Sequence, residues 1–208
     1  MYLSRIRLNE SRRDTMRALS SPHILHGAIE QAFCGERQRN LWRVDHLNGN
    51  CYLLILSTQQ PDLTHIAKQF GCPSDDPLWE TKDYSKLLDR LETGQNWHFR
   101  LCANPVRSSF AIGKRGEVHA HVTTKQQKQW LQTRACKNGF DVYEDSFDVI
   151  ETNWKIFFKN PGTKVTIRTA VFEGILMITD VEKLKHALVC GIGRAKAYGC
   201  GLLTLAQM

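Results

Sequence analysis

Two histidines and a glutamate near the N-terminus have the spacing of one helix face. At about 100° per residue, His23, His26 and Glu30 lie within roughly 60° of one another on a helix. Ile24, Leu25, Ala28 and Ile29 supply an apolar stripe on the opposite side. Histidine exchanges protons near neutral pH, so this face can provide an acid or a base. The alternative is two surface histidines on an ordinary amphipathic helix.

A glycine-rich run near the C-terminus is the second candidate. Four glycines lie between Gly191 and Gly201, around Arg194 and Lys196. Glycine lets backbone N–H groups approach a phosphate closely, which makes Gly193, Arg194 and Lys196 candidate phosphate contacts. A turn before a final strand would explain two of the glycines. The run is not a dinucleotide fingerprint, because Lys196 occupies the place of the third glycine.

Cations flank a predicted hairpin turn at Asn160-Pro161-Gly162. A basic two-stranded ribbon can straddle an RNA backbone through phosphate contacts. Lysines also limit pairing at exposed strand edges, so both interpretations stay open. The candidate RNA contacts on this hairpin are Lys155, Lys159, Lys164 and Arg168.

The chain offers no compact set of carboxylates suited to a two-metal nuclease. Cys102, His119, His121 and Cys136 are possible ligands, but buried thiols and surface histidines are the favoured interpretation. We therefore predict no metal and no cofactor. If the protein cleaves RNA, the substrate's 2′-hydroxyl is the natural nucleophile. Histidines, arginines and lysines can supply the base, the acid and the cations that this attack requires.

Composition indicates a globular protein with an anionic partner. The 208 residues carry a net charge of +7, which favours nucleic acid. Seven cysteines without a Cys-x-x-Cys pair argue against a disulfide framework. No apolar run is long enough to span a bilayer, and the N-terminus lacks a signal-peptide core. We expect a cytoplasmic protein.

Periodicity predicts a βαββαβ order that occurs twice, without a demonstrable sequence repeat. Ser21 and Pro22 form a helix start, and Gly35 is a plausible stop. The expected fold class is α+β with two tandem ferredoxin-like (RRM-like) domains, residues 1–92 and 93–208. The predicted elements of the first half are strands at 1–8, 40–47, 51–58 and 84–91, and helices from 22 and at 61–70. Those of the second half are strands at 96–103, 140–149, 151–159, 163–170, 171–179 and 202–205, and helices at 124–138 and 181–189.

The chain resembles the CasE type of CRISPR repeat-RNA endoribonuclease over nearly its whole length. The Ala-Asn-Pro and glycine-rich segments are specific only in combination. The landmarks are Met1-Tyr2-Leu3-Ser4, His26, Phe99 to Pro105, Trp130-Leu131, Val171-Phe172-Glu173-Gly174 and Gly191 to Leu203.

This resemblance implies metal-independent cleavage at the base of a repeat hairpin. It implies a 2′,3′-cyclic phosphate on the upstream product and a 5′-hydroxyl on the downstream one. It also implies that the protein keeps the product hairpin and joins the other subunits of a type I-E Cascade complex. By position, His26 matches the family's catalytic histidine. His23 stands where a tyrosine is common, so which histidine is the base stays open.

The loop after Asn104-Pro105 adds candidate RNA contacts at Arg107, Lys114 and Arg115. Two alternatives remain at this point. A non-cleaving subunit that binds repeat RNA would tolerate the loss of His26. A protein-interaction scaffold without an RNA role would bind the hairpin only non-specifically and in a salt-sensitive way.

Overall fold

The computed structural model describes residues 1–33, 38–109, 117–159 and 162–208. Their contacts divide the chain into two compact units. The first unit comprises Met1–Arg90, Ile156–Val165 and Lys196–Gly199, and the second comprises Leu91–Lys155, Thr166–Ala195 and Cys200–Met208. Two late segments therefore pack with the N-terminal part of the chain. The predicted domain division at residues 92 and 93 remains a prediction.

A four-stranded antiparallel sheet forms the first unit, in the order β2-β3-β1-β4. Its strands are β1 Tyr2–Leu8, β2 Leu41–Leu47, β3 Asn50–Ser57 and β4 Glu80–Asp83. Its helices are α1 Arg13–Ser20, α2 Pro22–Gln31, α3 Thr64–Phe70 and α4 Ser85–Leu88. The strand predicted at residues 1–8 is confirmed as β1, and its alternate residues Ser4, Ile6 and Leu8 are all buried. Ile6 and Leu8 join Leu25 and Ile29 of α2 in one hydrophobic core.

Two elements of the first unit differ from the sequence prediction. Helix α1 precedes the histidine-bearing helix, which is therefore the second helix and not the first. Its sequence is mainly polar, and only Thr15 and Ala18 are buried. The strand predicted at 84–91 is wrong. Asp83 accepts a hydrogen bond from the Ser85 amide at 3.0 Å, and this turn begins α4.

The remaining elements follow in chain order. They are β5 Asn96–Ala103, β6 Val106–Ser108, β7 Val118–Ala120, α5 Thr124–Lys137, β8 Phe140–Asp141, β9 Phe147–Phe158, β10 Lys164–Ile178, α6 Val181–Cys190, a short 3-10 turn Lys196–Tyr198 and β11 Leu203–Ala206. Their main sheet has the order β11-β5-β10-β8, with β9 paired to β10. The strands predicted at 163–170 and 171–179 are one continuous strand.

Both sheets share one topology. In each, the first and third strands of a βαββαβ unit are neighbours at the centre, and the second and fourth lie at the edges. The predicted fold class, α+β with two ferredoxin-like sheets, is confirmed. Helix α5 begins with a capping box between Thr123 and Gln126, a signal visible in the sequence. No helix within the described ranges is long and apolar enough to cross a membrane.

Candidate active site

Helix α2 presents the predicted histidine face. It begins at Pro22, as predicted, although the Ser21 side chain makes no capping hydrogen bond. Leu25, Ala28 and Ile29 are buried. His23, His26 and Glu30 are half-buried rather than fully exposed, so this face is partly covered. The predicted helix stop at Gly35 lies outside the described residues.

The His23 ring is packed against an aromatic pair. It stacks on Phe157 of β9 with a centroid distance of 5.8 Å and an interplanar angle of 14°. Phe157 is 3% exposed and meets Tyr198 edge-on at 5.0 Å and 69°. His23 Nδ1 is buried and has no hydrogen-bond partner among the described residues. The hairpin and the glycine-rich segment therefore both contribute to the surroundings of His23.

The glycine-rich segment packs its short turn, Lys196–Tyr198, against α2 and β2. Gly199 follows this turn with φ +81°, a conformation that side chains disfavour. A Cβ there would lie 2.9 Å from a ring carbon of Trp42, which is 1% exposed. At this position glycine is needed for close packing. This packing accounts for one of the four glycines of the run.

The predicted cations of the hairpin have different environments. Lys159 and Lys164 are exposed beside the turn, whose residues 160 and 161 lie outside the described ranges. Lys155 is half-buried. Arg168 donates a hydrogen bond to Thr152 Oγ1 at 2.9 Å, and its guanidinium lies 5.3 Å from the Trp154 ring centroid. Lys159 and Lys164 are consequently the two hairpin cations best exposed to a polyanion.

A cleft of about 440 Å³ in the second unit gathers further cations. Arg194 donates a hydrogen bond to Ser108 Oγ at 3.1 Å. Burial, and then the Arg107 guanidinium, lowers the pKa of His121 below its ordinary value. The described lining contains no carboxylate, so the cleft is suited to an anion. Its charged lining residues are Arg107, Arg134, Lys137 and Arg194.

The structure thus brings some predicted site residues together. His23 and Lys196 belong to the first unit, while Arg107, Gly193 and Arg194 share the cleft of the second. Lys114 and Arg115 lie outside the described residues. Sequence reasoning missed Arg134 and Lys137, although their i,i+3 spacing on α5 was a readable signal. It also missed Phe157 and Tyr198, for which no local signal exists.

Potential metal ligands are grouped elsewhere than the sequence suggested. In the described part of the chain, Glu10, His46 and Cys51 place their ligand atoms within 4.8 Å of one another, whereas Cys102, His119, His121 and Cys136 do not form such a group. Burial, with smaller effects of Glu10 and Asp45, raises the pKa of the Cys51 thiol to about 12.

Two ferredoxin-like sheets, a basic hairpin and a half-buried histidine face define a class of α+β protein related to RNA-recognition folds. A family model described as CRISPR associated protein matches residues 1–207. The chain belongs to this family.

Two known relatives are similar to most or all of the chain. CRISPR-associated endoribonuclease Cse3 of Thermus thermophilus is 27% identical over 223 residues, covering 99% of this chain and 100% of that protein. CRISPR system Cascade subunit CasE of Escherichia coli is 31% identical over 166 residues, covering 76% and 75%. A structure of Cse3 bound to 19-nucleotide RNA superposes with a TM-score of 0.83 at 26% identity, covering 99% of this chain and 100% of that one.

Proposed function

We propose that the protein is a metal-independent endoribonuclease that binds the CRISPR repeat hairpin and cleaves precursor CRISPR RNA. The observation that carries this proposal is the His23/His26 face of α2 in a chain of this family. Full-length similarity to a protein named as an endoribonuclease supports it. So does the fold shared with a Cse3 structure bound to RNA. The basic charge of the chain is consistent with such a substrate.

The chemistry follows from the residues available on α2. The 2′-oxygen forms a bond to the adjacent phosphorus, and the bond from phosphorus to the 5′-oxygen breaks. A proton moves from the 2′-hydroxyl to the 5′-oxygen, with His26 as the leading transfer group and His23 as a second residue at the reacting phosphate. Lys196 is a candidate for balancing charge on the phosphorane. The products are a 2′,3′-cyclic phosphate and a 5′-hydroxyl.

We assign RNA binding to cations that take no part in this proton transfer. We assign Lys155, Lys159, Lys164 and Arg168 of the hairpin to a groove of the RNA stem. Arg107, Gly193 and Arg194 line the cleft of the second unit, and we assign them to further phosphate contacts. Lys114 and Arg115, in the loop after Asn104-Pro105, are proposed as further RNA contacts. Phosphate contacts of this kind position an RNA without reading its sequence.

We further propose that the protein retains the product hairpin as a subunit of a type I-E Cascade complex in the cytoplasm. The name of the E. coli relative, a Cascade subunit, supports this partner. A subunit that must stay bound to its product turns over slowly. The enzyme would therefore act close to once per molecule.

Cutting in the presence of EDTA tests the metal-free mechanism. The purified protein, incubated with the repeat RNA of its own locus, is expected to cleave at the same rate with and without excess EDTA. The reason is that histidines supply the proton transfers and no metal-bound hydroxide is needed. Denaturing gels give the rate. A metal-dependent ribonuclease in the same EDTA buffer is the control, and complete loss of cutting would refute the mechanism.

Removing the two exposed hairpin lysines tests the binding surface. The Lys159→Ala/Lys164→Ala variant is expected to bind the hairpin more weakly and to reduce the slope of log K against log salt by about 1–2. Fluorescence titrations at several salt concentrations measure both quantities. A Lys68→Ala/Lys82→Ala variant, with the same change of net charge at exposed sites on α3 and β4, is the matched control. If both variants show the same slope of log K against log salt, the β9–β10 hairpin does not contact the RNA.

A further inference from the structure

We propose that Phe157 and Tyr198 are positioning residues that hold the His23 ring with Nε2 as its working nitrogen. His23 then acts as a neutral hydrogen-bond donor to the reacting phosphate, and proton transfer at the 2′-hydroxyl is the task of His26. This inference rests on the proposed function and assigns the roles within it. All residues that carry it belong to the first unit.

Phe157 is held firmly where it meets His23. It is 3% exposed, whereas its neighbours on β9, Ile156 and Phe158, are 55% and 60% exposed. Successive side chains of a strand point to opposite faces, so the strand itself directs the Phe157 ring inward. The near-parallel stack of 14° leaves the imidazole little freedom to tilt. Phe157 of β9 thereby fixes the orientation of the His23 ring on α2.

Tyr198 supports Phe157 from a third segment of the chain. Its ring meets Phe157 edge-on at 69°, an arrangement that aromatic pairs favour. The turn that carries Tyr198 is in turn fixed by the close approach of Gly199 to Trp42. The support of His23 therefore extends through Phe157 and Tyr198 to the buried core.

The two nitrogens of His23 differ in their surroundings. Nδ1 is buried, with no hydrogen-bond partner in the described part of the chain. A neutral imidazole carries one proton, and a buried N–H without an acceptor is rarer and more costly than a buried lone pair. The proton is therefore expected on Nε2, which is the nitrogen left to meet RNA.

An N–H at Nε2 decides what His23 can do. It can donate a hydrogen bond to a phosphate oxygen as negative charge grows there. It cannot accept the 2′-hydroxyl proton, because Nε2 is already protonated. His26 is left as the base, and the proton that it removes from the 2′-oxygen is the one delivered to the 5′-oxygen. Bonds and protons balance without a further reactant.

The tautomer is measurable without any cleavage. Long-range ¹H–¹⁵N NMR of the full chain labelled at histidine should show His23 as the Nε2–H form, with the assignment made by comparison with His23→Phe. The Phe157→Leu variant should show averaging between tautomers. An Nδ1–H form in the wild-type protein would overturn the inference. Because no RNA is present, this result is independent of whether the protein is a nuclease.

Single-turnover cleavage then tests the role. His23→Tyr keeps a ring and one O–H donor and should retain most of the rate, whereas His23→Phe should lose about 10²-fold. Phe157→Leu and Tyr198→Leu should each lower the cleavage rate about tenfold, because the His23 ring is no longer held in its orientation. The Kd for the RNA hairpin should be unchanged. Tyr198→Phe keeps the ring and should therefore cleave at the wild-type rate. Phe70→Leu, at a core position 1% exposed, controls for loss of a buried ring and should cut normally.

The outcomes separate the alternatives. Equal rates for His23→Tyr and His23→Phe would refute the donor role. Wild-type cutting by both Phe157→Leu and Tyr198→Leu would refute the positioning role. If Phe157→Leu fails to fold, Tyr198→Leu and Tyr198→Phe still test the positioning role, and the two His23 variants still test the donor role. If the wild-type protein leaves repeat RNA intact, the proposed function fails while the NMR result stands.

Discussion

Replacing His26 with alanine is expected to slow cleavage of the repeat RNA by about 10²–10⁴-fold, the usual contribution of a general acid–base group. Hairpin affinity should stay within about twofold, because phosphate contacts made by cations elsewhere dominate it. His26 lies on α2, whereas the proposed binding cations lie on the hairpin and along the cleft of the second unit. Chemistry and binding should therefore separate in this variant.

The measurement is a single-turnover time course with end-labelled RNA, paired with a binding titration on a non-cleavable hairpin. His98→Ala provides a matched control, because His98 is an exposed histidine on β5 outside the proposed site. A His26→Ala protein that cuts within a factor of a few of the wild-type rate would move the base elsewhere, first to His23. A large loss of affinity would instead indicate that His26 is a binding residue.

Removing the 2′-hydroxyl of the nucleotide just upstream of the cut is expected to abolish cleavage. The 2′-oxygen is the proposed nucleophile, so a deoxynucleotide there leaves no group to attack the phosphorus. The protein should still bind this RNA with near-normal affinity, because one hydroxyl is a small part of the contact surface. Gel assays give the rate, and mass spectrometry of the normal product should detect the cyclic phosphate.

A deoxynucleotide on the downstream side of the cut is the matched control and should be cleaved normally. Continued cutting of the upstream-substituted RNA would mean that water attacks the phosphate. The same substrate also yields a stable complex of the wild-type protein. The wild-type protein should bind the deoxy-substituted RNA as tightly as the His26→Ala protein binds unmodified RNA. Both changes stop the reaction without removing a phosphate contact.

Local signals in the sequence accounted for most of the fold. The alternation in Tyr2–Leu8 and the helix start at Ser21 and Pro22 each describe an interaction within a few residues. Such signals decide which face of an element is buried, and from their order the βαββαβ topology followed. Prediction failed for two short elements of the first unit. Helix α1 buries only two residues, and the segment after Asp83 forms a turn and a helix instead of a strand.

The candidate site divides in the same way. Sequence spacing was sufficient to put His23, His26 and Glu30 on one helix face, because that relation is local. It could not show that Phe157 stacks on His23 or that Tyr198 supports Phe157, since the three lie far apart in the chain and meet only through tertiary packing. The periodicity of a sequence predicts that a side chain is buried, but it does not predict which side chain of another element it contacts. The partners of His23, and with them its proposed role as a donor, were decided by the tertiary structure alone.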